Sequence, residues 1–164
     1  MSYIALNEDE YFDMRQVIKQ LYDELQKITV PLNQRKNVSS NKVRSITFGK
    51  VILRYQREKK DSVKNTEYPE IWRLIKLLGT MICPIPYTSV QLNHNVVCKA
   101  HTDKNNVGSS VIVSFGNYEG GMLVINNTVY DTNHKPIVFN GQDEHYNTND
   151  LTGTKYSLVY FTIK

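Results

Sequence analysis

From about residue 80 onward, the chain is a succession of short apolar runs separated by turn residues, and this pattern limits the fold more than any other feature. Each run is rich in β-branched and aromatic residues, which favour extended strands. The runs cover residues 89–92, 110–115, 122–125, 128–130, 136–139 and 156–163. Asn-Asn and Gly-Gly pairs stand between several of them. This arrangement predicts an antiparallel β-sandwich or barrel.

Two amphipathic helices are predicted ahead of these strands. The first begins after Asn7, a good helix cap, and Glu10 can complete a capping box. Its apolar stripe has helical spacing and ends before Pro31. The stripe consists of Met14, Val17, Ile18, Leu21, Leu25 and Ile28. The second helix is expected to start at Pro69 and stop at Gly79, because these residue types favour the first turn and the end of a helix.

The segments around the second helix are polar or β-rich. Residues 33–45 are polar and predict a loop, residues 46–55 predict a strand, and the charged residues 56–67 predict an exposed loop. A chain of 164 residues suits one domain better than two. We therefore expect an α+β, mainly β fold over residues 1–164, with a helical and basic part over 1–80 and a barrel core over 81–164.

The bulk composition is that of a globular protein in a reducing compartment. Cys83 and Cys98 form no C-x-x-C pattern, which favours free thiols. No apolar run approaches the ~18 residues needed to span a membrane, and Met1 is not followed by the basic and apolar regions of a signal peptide. These features predict an intracellular protein, cytoplasmic or nuclear, without membrane association.

Basic residues are concentrated between Arg35 and Lys64. Ten Lys and Arg residues lie in this segment against two acids, Glu58 and Asp61, and the whole chain has a net charge of +4. Such a segment can bind the phosphates of nucleic acid. A solvated loop and strand face is the alternative interpretation, and the sequence leaves both open, together with the oligomeric state.

An H-x-D triplet and a second histidine form the most specific chemical motif. His101 and Asp103 are two positions apart and face the same way in an extended segment, so both can bind one ion. His145 follows further along the chain. Two imidazoles and one carboxylate are the ligands of a facial triad for non-haem Fe(II), which leaves positions open for a cosubstrate and dioxygen. The other histidines, His94 and His134, have no such ligand residues at suitable spacing and are expected to be structural or exposed.

A cation and a hydroxyl follow the second histidine. Lys155 comes ten residues after His145, and Ser157 shares its strand face. The ammonium can pair with the distal carboxylate of 2-oxoglutarate, and the hydroxyl can donate to it. An exposed strand lysine is the alternative interpretation.

These motifs resemble those of a known superfamily. The runs around Gln91–Asn93, Cys98–Ser110, Phe115–Leu123 and Phe139–His145 resemble the iron-binding region of TET/JBP-like oxygenases. The run 153–161 is similar to the last barrel strand of 2-oxoglutarate/Fe(II) dioxygenases generally. Together the resemblance covers roughly residues 85–164.

The resemblance implies a double-stranded β-helix, or jelly roll, with the two helices of the N-terminal half packed on it. Fe(II) would be bound by His101, Asp103 and His145. Lys155 and Ser157 would bind 2-oxoglutarate, O₂ would be the second cosubstrate, and ascorbate is a candidate reductant. Asn93 would face the pocket and contact cosubstrate or substrate. Many relatives have Arg at the position of Lys155. A lysine keeps the positive charge but lacks the guanidinium fork that can bind a carboxylate through two hydrogen bonds.

The resemblance also implies an activity and leaves its substrate open. TET/JBP-like enzymes oxidise methyl groups of pyrimidine bases, which must be extruded from a duplex or presented in a single strand. This chain lacks the long inserts of larger relatives. Hydroxylation of a protein side chain, such as a prolyl residue, or of a small molecule is the alternative within the oxygenases. A non-catalytic jelly roll that binds nucleic acid is the alternative outside them.

Overall fold

The computed structural model describes residues 2–52 and 58–164. The predicted strand over residues 46–55 therefore lies partly outside the described residues. Within these ranges the helices are α1 (Glu8–Leu25), α2 (Lys64–Glu67) and α3 (Pro69–Ile82). The strands are β1 (Ser2–Tyr3), β2 (Leu32–Asn33), β3 (Val43–Ile52), β4 (Lys59–Asp61), β5 (Ser89–His94), β6 (Ser109–Glu119), β7 (Leu123–Ile125), β8 (Thr128–Tyr130), β9 (Ile137–Asn140), β10 (His145–Asn147) and β11 (Thr152–Phe161).

The strands form two antiparallel sheets. The larger sheet has the order β1-β9-β6-β11-β5-β3-β2, and β4 pairs with the outer part of β3. The smaller sheet has the order β10-β7-β8. Strand β11 lies in the middle of the larger sheet, between β5 and β6. Strand β3 pairs with β5, so residues before position 80 supply part of the sheet as well as the helices.

The larger sheet has an apolar face and a polar face. Successive side chains of a strand point to opposite sides. On β11, Leu158 and Tyr160 are fully buried in the core with the helices, whereas Ser157, Val159 and Phe161 line a cavity on the other side. The mainly β fold with two longer helices packed on one sheet face is thus as predicted.

The helices form because their apolar stripes cover this face. The capping box of α1 is present, with the Glu10 amide donating to Asn7 Oδ1 at 2.8 Å. The buried residues of α1 are Met14, Val17, Ile18, Leu21 and Leu25. The helix ends at Leu25, one turn before the predicted end of the stripe at Ile28, which is only partly buried.

The predicted stop of α3 at Gly79 is wrong. The helix continues to Ile82, and Gly79 is buried inside it. A Cβ at this position would lie 2.7 Å from Tyr87 Oη and 2.9 Å from Tyr160 Cε2. Gly79 therefore permits close packing of the helix on two aromatic rings rather than ending the helix.

Two predicted loops contain regular structure. The segment 33–45 includes the end of β2 and the first residues of β3, and the segment 56–67 includes β4 and α2. Their polar residues occur in strands because β2 and β4 are short and exposed, and pair with the ends of β3. No helix in the described parts of the chain is long and apolar enough to cross a membrane.

Candidate functional site

A cavity of about 250 Å³ lies between the two sheets, and both sheets supply its walls. The larger sheet contributes Asn93 from β5, Ile112 from β6 and Ser157 from β11. The smaller sheet contributes Leu123 from β7 and His145 from β10. The cavity lining therefore contains both apolar and polar side chains, which suits a ligand that has polar groups on a carbon frame.

The predicted metal ligands meet at one end of this cavity. His101 and His145 form an isolated antiparallel bridge, and Asp103 follows in the next turn. One ligand atom from each of the three residues can be chosen so that all lie within 4.8 Å of one another. Nε2 of His101 is 3.5 Å from Asp103 Oδ1, and Nε2 of His145 is 3.4 Å from Asp103 Oδ2.

The backbone fixes which nitrogen each histidine offers. Nδ1 of His101 lies 2.7 Å from the carbonyl oxygen of Lys99, and Nδ1 of His145 lies 2.7 Å from that of Asp143. A carbonyl oxygen can only accept, so both Nδ1 atoms carry the proton. In the neutral imidazoles both Nε2 atoms then carry the lone pair that a metal ligand requires. Without a metal, a second proton on Nε2 can instead be donated to the carboxylate of Asp103.

Burial and charge act in opposite directions on these groups. Burial alone would raise the pKa of Asp103, but hydrogen bonds and charge interactions with His101 and His145 hold it well below its usual range. For His145, burial lowers the pKa, but the hydrogen bond to Asp103 and the carbonyl of Asp143 outweigh it and raise the pKa. The carboxylate is therefore ionised and ready to bind a cation at neutral pH.

Asp103 is held by close backbone contacts. Its amide donates to the carbonyl oxygen of Gly141 at 2.7 Å, and the side chain of Gln142 donates to its carbonyl oxygen at 3.0 Å. A Cβ on Gly141 would lie 3.1 Å from both Cβ and Oδ2 of Asp103. Gly141 therefore allows the carboxylate to sit against the backbone of the turn that precedes β10.

Lys155 is a deeply buried cation beside the cavity rather than part of its lining. It is 3% exposed. Its Nζ donates to the carbonyl oxygen of Gly121 at 2.6 Å and lies 5.3 Å from the centre of the Tyr118 ring. Burial lowers the pKa of Lys155 to about 8. The interpretation of Lys155 as an exposed strand charge is therefore wrong.

Ser157 belongs to a chain of buried hydroxyls. Its Oγ is 3.1 Å from Oγ of Ser114, and Thr132 donates to Ser114 at 2.7 Å. Ser157 lies opposite Ser114 on β6 and opposite Asn93 on β5. The sheet register therefore places Ser157 and Asn93, two of the predicted site residues, side by side on the cavity wall.

Arg35 is a site residue that sequence reasoning missed. It lines the cavity from the loop after β2, and its Nη1 donates to Asn93 Oδ1 at 2.8 Å. Burial lowers the pKa of this guanidinium. The sequence registered Arg35 only as the start of a basic segment, since no local spacing links it to a partner so far along the chain.

Three other basic side chains of the described part of this segment have partners within the protein. Nη1 of Arg44 donates to the carbonyl oxygen of Val30, away from the cavity. Lys50 pairs with Asp61 at 2.6 Å, and Lys64 pairs with Glu67 at 2.7 Å. Arg54 and Arg57, which the sequence also assigned to the segment, lie outside the described residues.

The two remaining histidines do not belong to the group of predicted metal ligands. His94 stacks on Tyr156, with ring centroids 4.5 Å apart. Nδ1 of His134 is 2.7 Å from Oδ1 of Asn133. Both positions agree with the structural roles expected from the sequence.

Comparison with solved structures gives several matches over nearly the whole chain. The alignment with NgTET1 in complex with 5mC DNA covers 97% of this chain and 69% of the NgTET1 chain, with 16% sequence identity and a TM-score of 0.62. A 2OG-Fe(II) oxygenase family oxidoreductase from Burkholderia pseudomallei matches 98% of this chain and 95% of its own, with 16% identity and a TM-score of 0.62. The alignment with OsALKBH1 covers 94% of this chain and 92% of the OsALKBH1 chain, with 11% sequence identity and a TM-score of 0.50.

No protein-family model matches the chain, and no curated protein sequence matches it. The structural likenesses confirm the predicted fold, the double-stranded β-helix seen in 2OG-Fe(II) oxygenases.

Proposed function

We propose that this protein is a 2-oxoglutarate- and Fe(II)-dependent dioxygenase that hydroxylates a C–H bond of its substrate. The observation that carries the proposal is the convergence of His101, Asp103 and His145, with both imidazoles oriented by backbone carbonyls. Two nitrogen donors and one hard oxygen donor suit Fe(II) and leave part of its coordination sphere open.

Ser157 in the cavity wall and Lys155 beside it suit the distal carboxylate of 2-oxoglutarate. Lys155 is a buried ammonium, and among the described residues no carboxylate lies within ion-pair distance of it. A buried charge without a partner is costly, so an anionic ligand is strongly favoured. Because Thr132 donates to Ser114, Ser114 is free to donate to Ser157, and the Ser157 hydroxyl can donate into the cavity.

The protein's own residues would bind and orient the metal and cosubstrate and shield them from water. When bound, Fe(II) and 2-oxoglutarate would supply the activation of O₂ and the oxidation of a C–H bond, with ascorbate as a candidate reductant. Ile112, Leu123 and Phe139 are apolar residues of the cavity lining and would keep water away from that chemistry. The free thiols of Cys83 and Cys98 suit a reducing cytoplasmic or nuclear location.

A nucleobase methyl group is the substrate that the cavity favours. Side-chain amides can both donate to and accept from a base edge. Six of them line the cavity: Asn37, Gln91, Asn93, Asn105, Asn106 and Asn147. Gln91 and Asn147 already form hydrogen bonds within the protein through both oxygen and nitrogen, so the other four are the candidates for a base edge. Tyr146, at the same cavity, offers a ring for stacking. Binding of the nucleic-acid strand by the basic segment 35–64 remains part of this proposal, carried by its exposed residues Lys59 and Lys60.

The test is cosubstrate turnover followed by a substrate screen. Succinate release should require Fe(II) and 2-oxoglutarate and should disappear in Asp103→Asn, which keeps the shape of the side chain but removes its charge. Methylated oligonucleotides, proline-containing peptides and small molecules are then compared by mass spectrometry. Product on peptides alone would replace the nucleobase with a protein side chain. Absence of 2-oxoglutarate binding to metal-loaded protein would favour a non-catalytic jelly roll.

A further inference from the structure

Arg35 is a half-buried cation in the lining of the cavity. Its one hydrogen bond to a described residue is to the neutral side chain of Asn93. Among the described residues, no carboxylate lies within ion-pair distance of the guanidinium. Removal from water disfavours an unpaired charge, as the lowered pKa of Arg35 reflects. A ligand with negative charge would offset that cost.

The guanidinium is fixed in position and has donors to spare. Asn93 is 9% exposed and lies in the middle of the larger sheet, opposite Ser157 on one side and Ser45 on the other. It is therefore a rigid support for Arg35. A guanidinium has five N–H donors in a planar fork, which matches the oxygens of a carboxylate or phosphate.

Arg35 shares the cavity with the metal ligands. Arg35, Asp103 and His145 all line it. Asp103 lies close enough to act on the charge of Arg35. An anion bound by Arg35 would thus lie in the space where a substrate must approach the metal.

The charges of the filled site leave Arg35 unmatched. The charges of Fe(II), Asp103, Lys155 and the 2-oxoglutarate dianion cancel, with both histidines neutral. Arg35 then adds one positive charge that neither metal nor cosubstrate compensates.

We propose that Arg35, oriented by Asn93, binds an oxyanion of the substrate and so selects substrates that carry a phosphate or carboxylate group near the oxidised carbon. This rests on the proposed function, because it assigns Lys155, beside the cavity, to 2-oxoglutarate. Lys104 also lines the cavity but is exposed, and its flexible stem does not fix an anion in one position.

The experiment uses the full chain loaded with Mn(II) in place of Fe(II), without oxygen and with saturating 2-oxoglutarate. Inorganic phosphate is titrated in, and the ³¹P relaxation rate is measured, because Mn(II) accelerates relaxation only of phosphate bound close to it. The expected result is saturable enhancement in the wild type and at least a tenfold loss of phosphate affinity in Arg35→Met, about the effect of one charge-assisted hydrogen bond. Arg35→Lys should lose less, and circular dichroism confirms that each variant folds.

Matched variants make the result specific. Lys76→Met removes an exposed charge on α3, outside the cavity lining, and should bind phosphate as the wild type does. Loss of binding in Lys104→Met but not in Arg35→Met would overturn the proposal. Unchanged phosphate binding in Arg35→Met would also overturn it. The same titration with ¹³C-labelled acetate distinguishes a phosphate from a carboxylate group by which anion binds more tightly.

The cosubstrate is measured in parallel. The affinity for 2-oxoglutarate should be unchanged in Arg35→Met, and a loss as large as that in Lys155→Ala would assign Arg35 to the cosubstrate and overturn the inference. If the wild type binds Mn(II) but no 2-oxoglutarate, the proposed function fails. Phosphate binding that still depends on Arg35 would then support the anion site by itself.

Discussion

The proposed site has two parts, a metal end and a closed end beside Lys155, and they are built in different ways. At the metal end, His101, Asp103 and His145 lie in a turn and a short strand, and local backbone groups orient them. At the other end, Lys155 and Ser157 lie on β11, and their positions depend on its pairing with β5 and β6.

The two parts also differ in how far their side chains are buried. The metal end is pre-oriented but open, with 19% of the Asp103 side chain exposed. The opposite end is closed, with Lys155 3% exposed. An open end suits an exchanging metal and an approaching substrate, and a closed end gives an anion a strong electrostatic interaction. Substitutions at the two ends should therefore fail in different ways.

The largest effect is expected at the metal end. His101→Ala, Asp103→Ala and His145→Ala should each lose Fe(II) binding and all turnover, because two ligands cannot hold the metal. Unfolding temperature without metal should stay close to that of the wild type, since an open site contributes little to stability. Metal content after anaerobic loading and thermal unfolding are the measurements. His134→Ala is the control, and Fe(II) binding by His145→Ala at the wild-type level would show that the ligand set is wrong.

At the closed end, Lys155→Ala should leave Fe(II) binding intact and raise the KM for 2-oxoglutarate. One charge-assisted pair to a partly buried carboxylate is worth about 1.5–3 kcal/mol, which is about 10- to 150-fold in affinity. Lys155→Arg should recover part of the loss. The exposed Lys135 gives a matched control. A KM unchanged by Lys155→Ala would place the cosubstrate elsewhere and remove the contrast between the two ends.

A pH titration sharpens the contrast further. The pKa of Lys155 is lowered to about 8 from a model-compound value of 10.5. 2-Oxoglutarate needs the charged form, so its affinity should be constant below pH 8 and fall by up to about tenfold per pH unit above it. Folding without ligand responds in the opposite sense. Between pH 8 and 10.5 the unfolded chain holds the extra proton, so stability should rise with pH across that window.

Isothermal titration calorimetry at pH 7 and 9 and urea unfolding at both values test these signs. Lys155→Arg stays charged and should flatten both profiles. Tyr118, the ring beneath Lys155, has its pKa raised to about 12 and does not titrate in this range. A cosubstrate affinity that is flat to pH 9.5 in the wild type would exclude Lys155 as its cation.

The smallest effect is expected from the hydroxyl chain behind Ser157. Thr132→Val removes the hydroxyl that donates to Ser114 while keeping the shape of the side chain. The hydrogen bonds between Ser114 and Ser157 then lose their preferred donor direction. A neutral hydrogen bond is worth about 0.5–1.5 kcal/mol, and the 2-oxoglutarate Kd should rise by about 2- to 13-fold. Thr154→Val, on β11 but not in the hydroxyl chain, is the control. Equal effects of both variants would indicate a general loss of packing.

The metal end could be predicted from sequence because its chemistry is local. The H-x-D spacing and the later His145 predicted three metal ligands, and the fold brings these three side chains together at one cavity. Strand existence was likewise predictable, since the runs along β5, β6 and β11 have clear β-formers. The three-residue strand β10, which holds His145, was missed because its sequence has no apolar alternation.

The remaining site residues depend on contacts between distant segments. Arg35 meets Asn93 only because β2 and β3 bring its loop over β5. Thr132 reaches Ser114 through the loop after β8. Gly79 has the residue type of a helix end but serves a contact with Tyr87 and Tyr160. No spacing along the chain carries such information, so these features needed the structure.

The central place of β11 has a consequence for biosynthesis. This strand comes after all the others in the sequence and yet lies between β5 and β6. During translation, β5 and β6 must therefore wait with unpaired edges until residues 152–161 leave the ribosome. Lys155 and Ser157 arrive with that strand, so a nascent chain has no complete cavity to load. Ribosome-bound intermediates that lack β11 should therefore be the form most exposed to edge-to-edge aggregation.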